Sequence, residues 1–72
     1  MKVKYYPDTD SLYIDLASKP SAESKEVSEG VVLDYDADGR LVVIDINNAS
    51  RKLNLEEITL VREPSEKRLT GV

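Results

Sequence analysis

Hydrophobic and polar residues alternate most regularly in the middle of the chain. Two apolar runs rich in β-branched residues, 31–35 and 41–46, flank the pair Asp38-Gly39. An Asp-Gly pair between two such runs is typical of a β-hairpin, because both residues tolerate the backbone conformations that a tight turn requires. The pattern therefore predicts that this hairpin forms the centre of the fold.

Two pairing registers of this hairpin fit the pattern. A two-residue turn at Asp38-Gly39 would pair Val31 with Ile46, Leu33 with Ile44, and Tyr35 with Val42. A three-residue loop with Gly39 as a bulge would instead pair Val31 with Asp45, Leu33 with Val43, and Tyr35 with Leu41. We prefer the first register because it gives the cleaner apolar face. It leaves Val32 and Val43 beside Asp34 and Asp45 on the second face, so we expect another surface to cover these two valines.

A second hairpin is predicted near the start of the sequence. Residues 2–6 alternate, residues 12–16 alternate with their leucines and isoleucine on one side, and the five residues between them favour a turn. Residues 18–28 are polar and contain Pro20. We interpret them as a solvated connection that becomes extended only near Val27.

The pattern changes after residue 46. Residues 47–53 fit one short helical turn, and Asn54 with Glu57 has the spacing of a capping box that would start a second helix near Leu55. Residues 58–63 fit a helix or a fifth strand. The prediction is an α+β fold: a four-stranded antiparallel sheet of two hairpins with one or two short C-terminal helical turns. It forms a single domain over residues 1–63, followed by a polar tail, 64–72.

The composition removes several kinds of chemistry. The 72 residues include neither cysteine nor histidine, which excludes disulfides and thiolate or imidazole metal sites and leaves no side chain with an ordinary pKa near neutrality. We therefore predict no cofactor and no enzymatic activity. Because so small a domain has a marginal core, we predict a homo-oligomer, in the first place a dimer. Its interface would bury Val32 and Val43, or an edge strand would pair with its symmetry mate.

The charge of the chain narrows its partners. Ten Lys and Arg residues against 14 Asp and Glu residues give a net charge of -4, which disfavours nucleic acids and suits a basic protein partner. No apolar run has the length of a membrane span, and the first five residues do not resemble the start of a signal peptide. We expect a cytoplasmic protein without membrane contact.

One group of carboxylates has the spacing of a cation site. Asp34, Asp36 and Asp38 followed by Gly39 match the opening of a calcium-binding loop, and Asp45 falls at the twelfth position. In a hairpin, however, Asp45 lies several residues below the tip, and turn tips favour Asp and Gly for conformational reasons alone. A metal-binding or small-ligand-binding module that uses residues 34–45 is therefore the alternative to protein association.

A second acidic group supports the least favoured prediction, a carboxylate-based enzyme. It consists of Asp8, Asp10 and Asp15, and paired carboxylates can perform acid–base catalysis. Two of them lie in a predicted turn and the third points outward, which favours a solvated turn instead. The four tyrosines, at 5, 6, 13 and 35, are interpreted as sheet packing and not as a stacking surface for bases.

The order and spacing of several segments resemble a small prokaryotic family known as domain of unknown function 2283. The resemblance covers residues 2–55 and rests on Lys4-Tyr5-Tyr6-Pro7-Asp8, Asp10-Ser11-Leu12-Tyr13-Ile14, residues 30–42, Ile44-Asp45-Ile46 and Ala49-Ser50. It implies a compact α+β domain of antiparallel strands and brings no catalytic residues. Its members are similar in genomic setting to the smaller halves of toxin–antitoxin pairs, which implies a toxin-like partner. The chain departs from the family pattern at Val43, where a small residue is expected, and at Asn48, where Asp is expected.

Overall fold

The polypeptide forms one five-stranded antiparallel sheet and a single turn of helix, in a computed structural model that describes residues 1–63. Numbered in chain order, the elements are β1 (Lys2–Tyr6), β2 (Ser11–Asp15), β3 (Glu23–Ser28), β4 (Val31–Tyr35), β5 (Leu41–Asn47) and α1 (Ala49–Lys52). In space the strand order is β1-β2-β5-β4-β3, so β5 lies in the middle and joins the two hairpins. The predicted tail, 64–72, lies outside the described residues.

The prediction of four strands is wrong, because the polar segment before Gly30 forms a fifth strand. β3 pairs with β4 from Glu23 opposite Tyr35 to Glu26 opposite Val32, and a bulge interrupts the pairing near Val27. All six residues of β3 are exposed. A strand at the edge of a sheet with no face to bury has no need of alternating apolar residues, so its sequence does not carry the usual strand pattern.

Each of the two predicted registers of the central hairpin holds over part of its length. Val31 lies opposite Ile46 and Leu33 opposite Ile44, as in the preferred register. A bulge then shifts the pairing, so that Tyr35 lies opposite Leu41, as in the alternative. At the tip, the Gly39 amide donates to the Asp36 carbonyl oxygen over 3.0 Å, and Gly39 has φ +81°. This is a three-residue loop with glycine in the left-handed conformation.

The first predicted helical turn is confirmed as α1, which follows Asn48 in the left-handed conformation at φ 53°. The second predicted helix is absent from the described residues. Asn54 instead closes a turn, because its side-chain oxygen accepts from the Glu56 amide at 3.1 Å and its amide nitrogen donates to Glu57. Residues 58–63 are neither helix nor strand. Asn54 and Glu57 thus bond to each other through their side chains within a turn. The predicted capping box does not form, and no helix continues from these residues.

The register places side chains on two chemically different faces. One, called here the apolar face, carries Val3, Tyr5, Leu12, Ile14, Val31, Leu33, Tyr35, Ile44 and Ile46 on β1, β2, β4 and β5. The other, called the charged face, carries Lys4, Tyr6, Tyr13, Asp15, Val32, Asp34, Val43 and Asp45 on the same strands. Among the described residues, three apolar side chains are fully buried: Leu12, Val42 and Ala49. The sheet is therefore a single layer with a very small core.

Candidate functional site

The apolar face is only partly covered in the centre of the sheet. Leu33, Ile44 and Ile46 are partly exposed, although they lie on β4 and β5, the strands of the central hairpin. A second layer would normally cover side chains at this position. Toward β1, Val3 and Tyr5 are each 39% exposed. Since apolar surface of this kind is stabilised by removal from water, the face is the strongest candidate for a binding surface.

The segment after α1 lies along the β1–β2 side of this face and covers part of it. Leu53 and Ile58 line one shallow depression, of about 330 Å³, together with Val3, Leu12 and Ile14. Yet Ile58 is 56% exposed, and the following Leu60 and Val61 are 72% and 68% exposed. The segment therefore lies beside the buried Leu12, which is 3% exposed, while several of its own apolar side chains remain exposed.

The two predicted interface residues lie on the charged face. Val32 is opposite Asp45, and Val43 is opposite Asp15 on one side and Asp34 on the other. Both valines are half-buried. Each valine therefore has carboxylates as its directly opposite neighbours, Val32 also lying opposite Glu26 on β3.

Asp45 is the most unusual side chain of the charged face. One of its carboxylate oxygens, Oδ1, is buried without a hydrogen-bond partner among the described residues. Its negative charge is the first cause that raises the pKa of the neighbouring Tyr13 hydroxyl, with burial second. The Tyr13 ring in turn packs edge-to-face on Tyr6, with the ring centroids 5.5 Å apart. The raised pKa keeps the Tyr13 phenol neutral at neutral pH.

The predicted cation loop is not assembled as a metal site. Asp36 is 7% exposed, and its carboxylate accepts hydrogen bonds from the Asp38 and Arg40 amides, both at 2.9 Å. The Arg40 amide is the first cause that lowers the Asp36 pKa. Asp34 accepts from the Ser24 hydroxyl at 2.6 Å, which ties β4 to β3. Within residues 1–63, no group of three or more potential ligand side chains converges on one point.

The second acidic group is also separated by the fold. Asp15 lies 3.7 Å from the Lys4 amine on the charged face, and Asp8 lines a shallow depression of about 460 Å³ with Tyr6 and Tyr13. No second carboxylate lines that depression. Paired acid–base chemistry therefore has no pair of carboxylates to use there.

Asp10, the third member, has a structural role that sequence reasoning missed. It adopts φ 54° in the β1–β2 turn, and its carboxylate accepts from the Tyr5 hydroxyl at 2.7 Å and from the Ser50 hydroxyl and amide at 2.7 and 3.0 Å. The Ser50 hydroxyl is the main cause that lowers the Asp10 pKa, followed by Tyr5. Tyr5, Asp10 and Ser50 lie in three of the segments that carry the family resemblance. Their presence in those segments was the only sign in the sequence that they act together.

Comparison with known proteins adds a family without a known activity. A family model described as "Protein of unknown function (DUF2283)" matches residues 2–50. The match includes all five strands and the start of α1. Neither curated proteins nor solved structures gave a match. Among the described residues, no helix is long and apolar enough to cross a membrane.

Proposed function

Because this chain belongs to the DUF2283 family, which brings no activity with it, we propose from its surface that it is a protein–protein association module. The observation that carries the proposal is the partly exposed apolar face. The single-layer sheet has three buried apolar side chains among the described residues and leaves most of the others partly exposed. Covering them with another protein stabilises both the fold and the complex, at about 25 cal/mol for each Å² of apolar area removed from water.

The proposal includes the absence of catalysis. Three of the carboxylates singled out in the sequence have structural partners: Asp36 caps a turn, Asp34 bonds Ser24 and Asp10 holds the helical turn. Asp45 keeps one buried oxygen without a hydrogen-bond partner among the described residues. These contacts support a binding role, since a catalytic carboxylate needs a free oxygen within reach of a substrate. We also propose that the protein is cytoplasmic, as the sequence predicted.

The first proposed partner is a second copy of the chain, in a homodimer. A domain of this size without disulfides gains stability when its exposed apolar surface is buried by another subunit. Sedimentation velocity between about 1 and 500 µM tests the proposal. We expect a shift from monomer to dimer across this range. A monomer throughout would contradict self-association.

A basic protein is the second proposed partner, and the charged face supports it. Asp34 and Asp45 point from that face, and the chain has a net charge of -4. Such charge accelerates the encounter with a basic protein more than it strengthens the complex. If a basic, toxin-like protein encoded beside the gene binds the chain, the double variant Asp34→Asn, Asp45→Asn should slow its association. An unchanged association rate at low salt would contradict this role for the face.

A further inference from the structure

We infer that two copies of the chain stack apolar face on apolar face, so that the single-layer sheet becomes one half of a two-layer β-sandwich. The inference rests on the proposed self-association and names its surface. Leu33 and Ile44 would lie at the centre of the interface, and Val32 and Val43 would remain on its outer surfaces. Packed sheets lie about 10 Å apart and bury the side chains of their facing surfaces between them.

The distribution of charge favours a second copy as the occupant. On β1, β2, β4 and β5 the apolar face carries no charged side chain, whereas Asp15, Asp34 and Asp45 all lie on the opposite face. Within the strands, the only charged side chains on the apolar face are those of Glu23 and Lys25, on the edge strand β3. Such a face offers nothing that would select a charged partner. Two copies can therefore meet there without opposing their carboxylates, although each chain is acidic overall.

The edges of the sheet are unsuited to the alternative route of strand pairing. β3 is one edge, and its pairing with β4 is broken by the bulge near Val27. Its charged residues Glu23, Lys25 and Glu26 are all exposed. The other edge, β1, carries Lys2 and Lys4. Bulges and charged residues, lysine in particular, are the features that prevent edge-to-edge association.

The size of the face sets the strength of the complex. Five strands spaced about 4.8 Å apart and about 17 Å long give a footprint of roughly 400 Å² before surface relief is counted. Stable interfaces bury about 800 Å² on each partner. We therefore expect a weak dimer that dissociates in the micromolar range, and the experiment has to span that range.

The chain contains no cysteine, so an introduced cysteine is its only thiol. The test compares maleimide reaction rates of Leu33→Cys on the apolar face with Val32→Cys, the adjacent residue on the opposite face. Glu26→Cys and Lys4→Cys, both on the charged face, report on the two edges. Rates are measured at about 1 µM and about 500 µM protein, and sedimentation is run on the same samples. Ile46→Cys replaces Leu33→Cys if that variant does not melt cooperatively.

We expect the Leu33→Cys rate to fall by about tenfold at the high concentration, as the thiol becomes buried, while the other three rates change by less than twofold. Protection of Val32→Cys or of an edge cysteine instead, in a sample that sediments as a dimer, would overturn the face-to-face arrangement and leave self-association intact. A monomer with Leu33→Cys slow at both concentrations would show that the segment around Ile58 covers the face. Both proposals would then fail.

Discussion

At the scale of single residues, the carboxylates of this chain mostly hold backbone in place. The Asp-Gly signal predicted the position of the central turn, but it could not show whether Asp36 would face a ligand or the turn itself. An aspartate fits either a ligand site or a turn cap. The hydrogen bonds from the Asp38 and Arg40 amides show that Asp36 caps the turn. The hydrogen bonds of Asp10 were likewise invisible, because Ser50 is 40 residues away in the sequence.

Asp36 should make the stability of the protein sensitive to acid. Its pKa is lower in the folded chain than in the unfolded chain, so its ionised form stabilises the fold above about pH 4 and this contribution is lost as the pH falls through the folded-state pKa. We expect Asp36→Asn to have a lower melting temperature at pH 7 and a shallower decrease between about pH 4 and pH 2. Asp38→Asn, in the same turn but exposed, is the control. Identical acid profiles for Asp36→Asn and the unmodified chain would contradict the capping role.

Calcium should not change the melting temperature. The Asp36 carboxylate already accepts two backbone amides, and Asp34 is bonded to Ser24, so the loop at 34–45 would have to break these contacts to bind a cation. A site filled at 100 times its dissociation constant would add about 2.7 kcal/mol to the free energy of unfolding. Thermal melts with and without about 5 mM calcium are the measurement. An increase that disappears in Asp38→Asn would favour the ligand-binding alternative.

At the scale of elements, strands with an apolar side were predictable and the edge strand was not. β1, β2, β4 and β5 each have one side that faces apolar neighbours, which imposes a period of two on the sequence. β3 buries no face, so its sequence is free of that constraint. The helical turn at 49–52 was predicted from residue type, but its attachment to the β1–β2 turn depends on tertiary contacts.

That attachment leads to a prediction for Asp10. In Asp10→Ala, the Ser50 amide and the Ser50 hydroxyl both lose their acceptor, the Asp10 carboxylate. We expect the melting temperature to fall by several degrees, with faster hydrogen exchange at the Ser50 amide. Asp8→Ala, in the same turn, should leave both unchanged. If the Ser50 amide exchanges at the same rate in Asp10→Ala, the contact does not hold the helical turn.

At the scale of the whole molecule, the pattern of residues predicted an apolar surface in need of cover at Val32 and Val43. That stays a prediction, and the apolar face that we propose lies on the other side of the sheet. Val32 and Val43 drew attention because they interrupt an otherwise polar face. The larger surface around Leu33 and Ile44 was interpreted as a core, because the sequence alone does not show whether a second layer covers it. Only the count of fully buried side chains reveals this.

A dimer of this kind makes thermal stability depend on concentration. Above the dissociation constant, each tenfold increase in protein concentration should add about 1.4 kcal/mol to the free energy of unfolding the dimer. For a pair of chains of this length that corresponds to about 3–5 °C in melting temperature. Calorimetry at about 20, 200 and 1,000 µM provides the measurement. A melting temperature that does not vary over this series would contradict the dimer.

The central position of β5 also has a consequence for how the chain folds. β3, β4 and β5 follow one another and can form a meander from contacts close in sequence, whereas β2 reaches β5 only by joining Ser11 to Asn47. Closing so long a loop costs entropy before any pairing rewards it, so this step should set the folding rate. The Asp10–Ser50 contact forms at the same end of the β2–β5 pairing. During synthesis on the ribosome, the β1–β2 hairpin therefore has no strand to pair with until β5 has emerged.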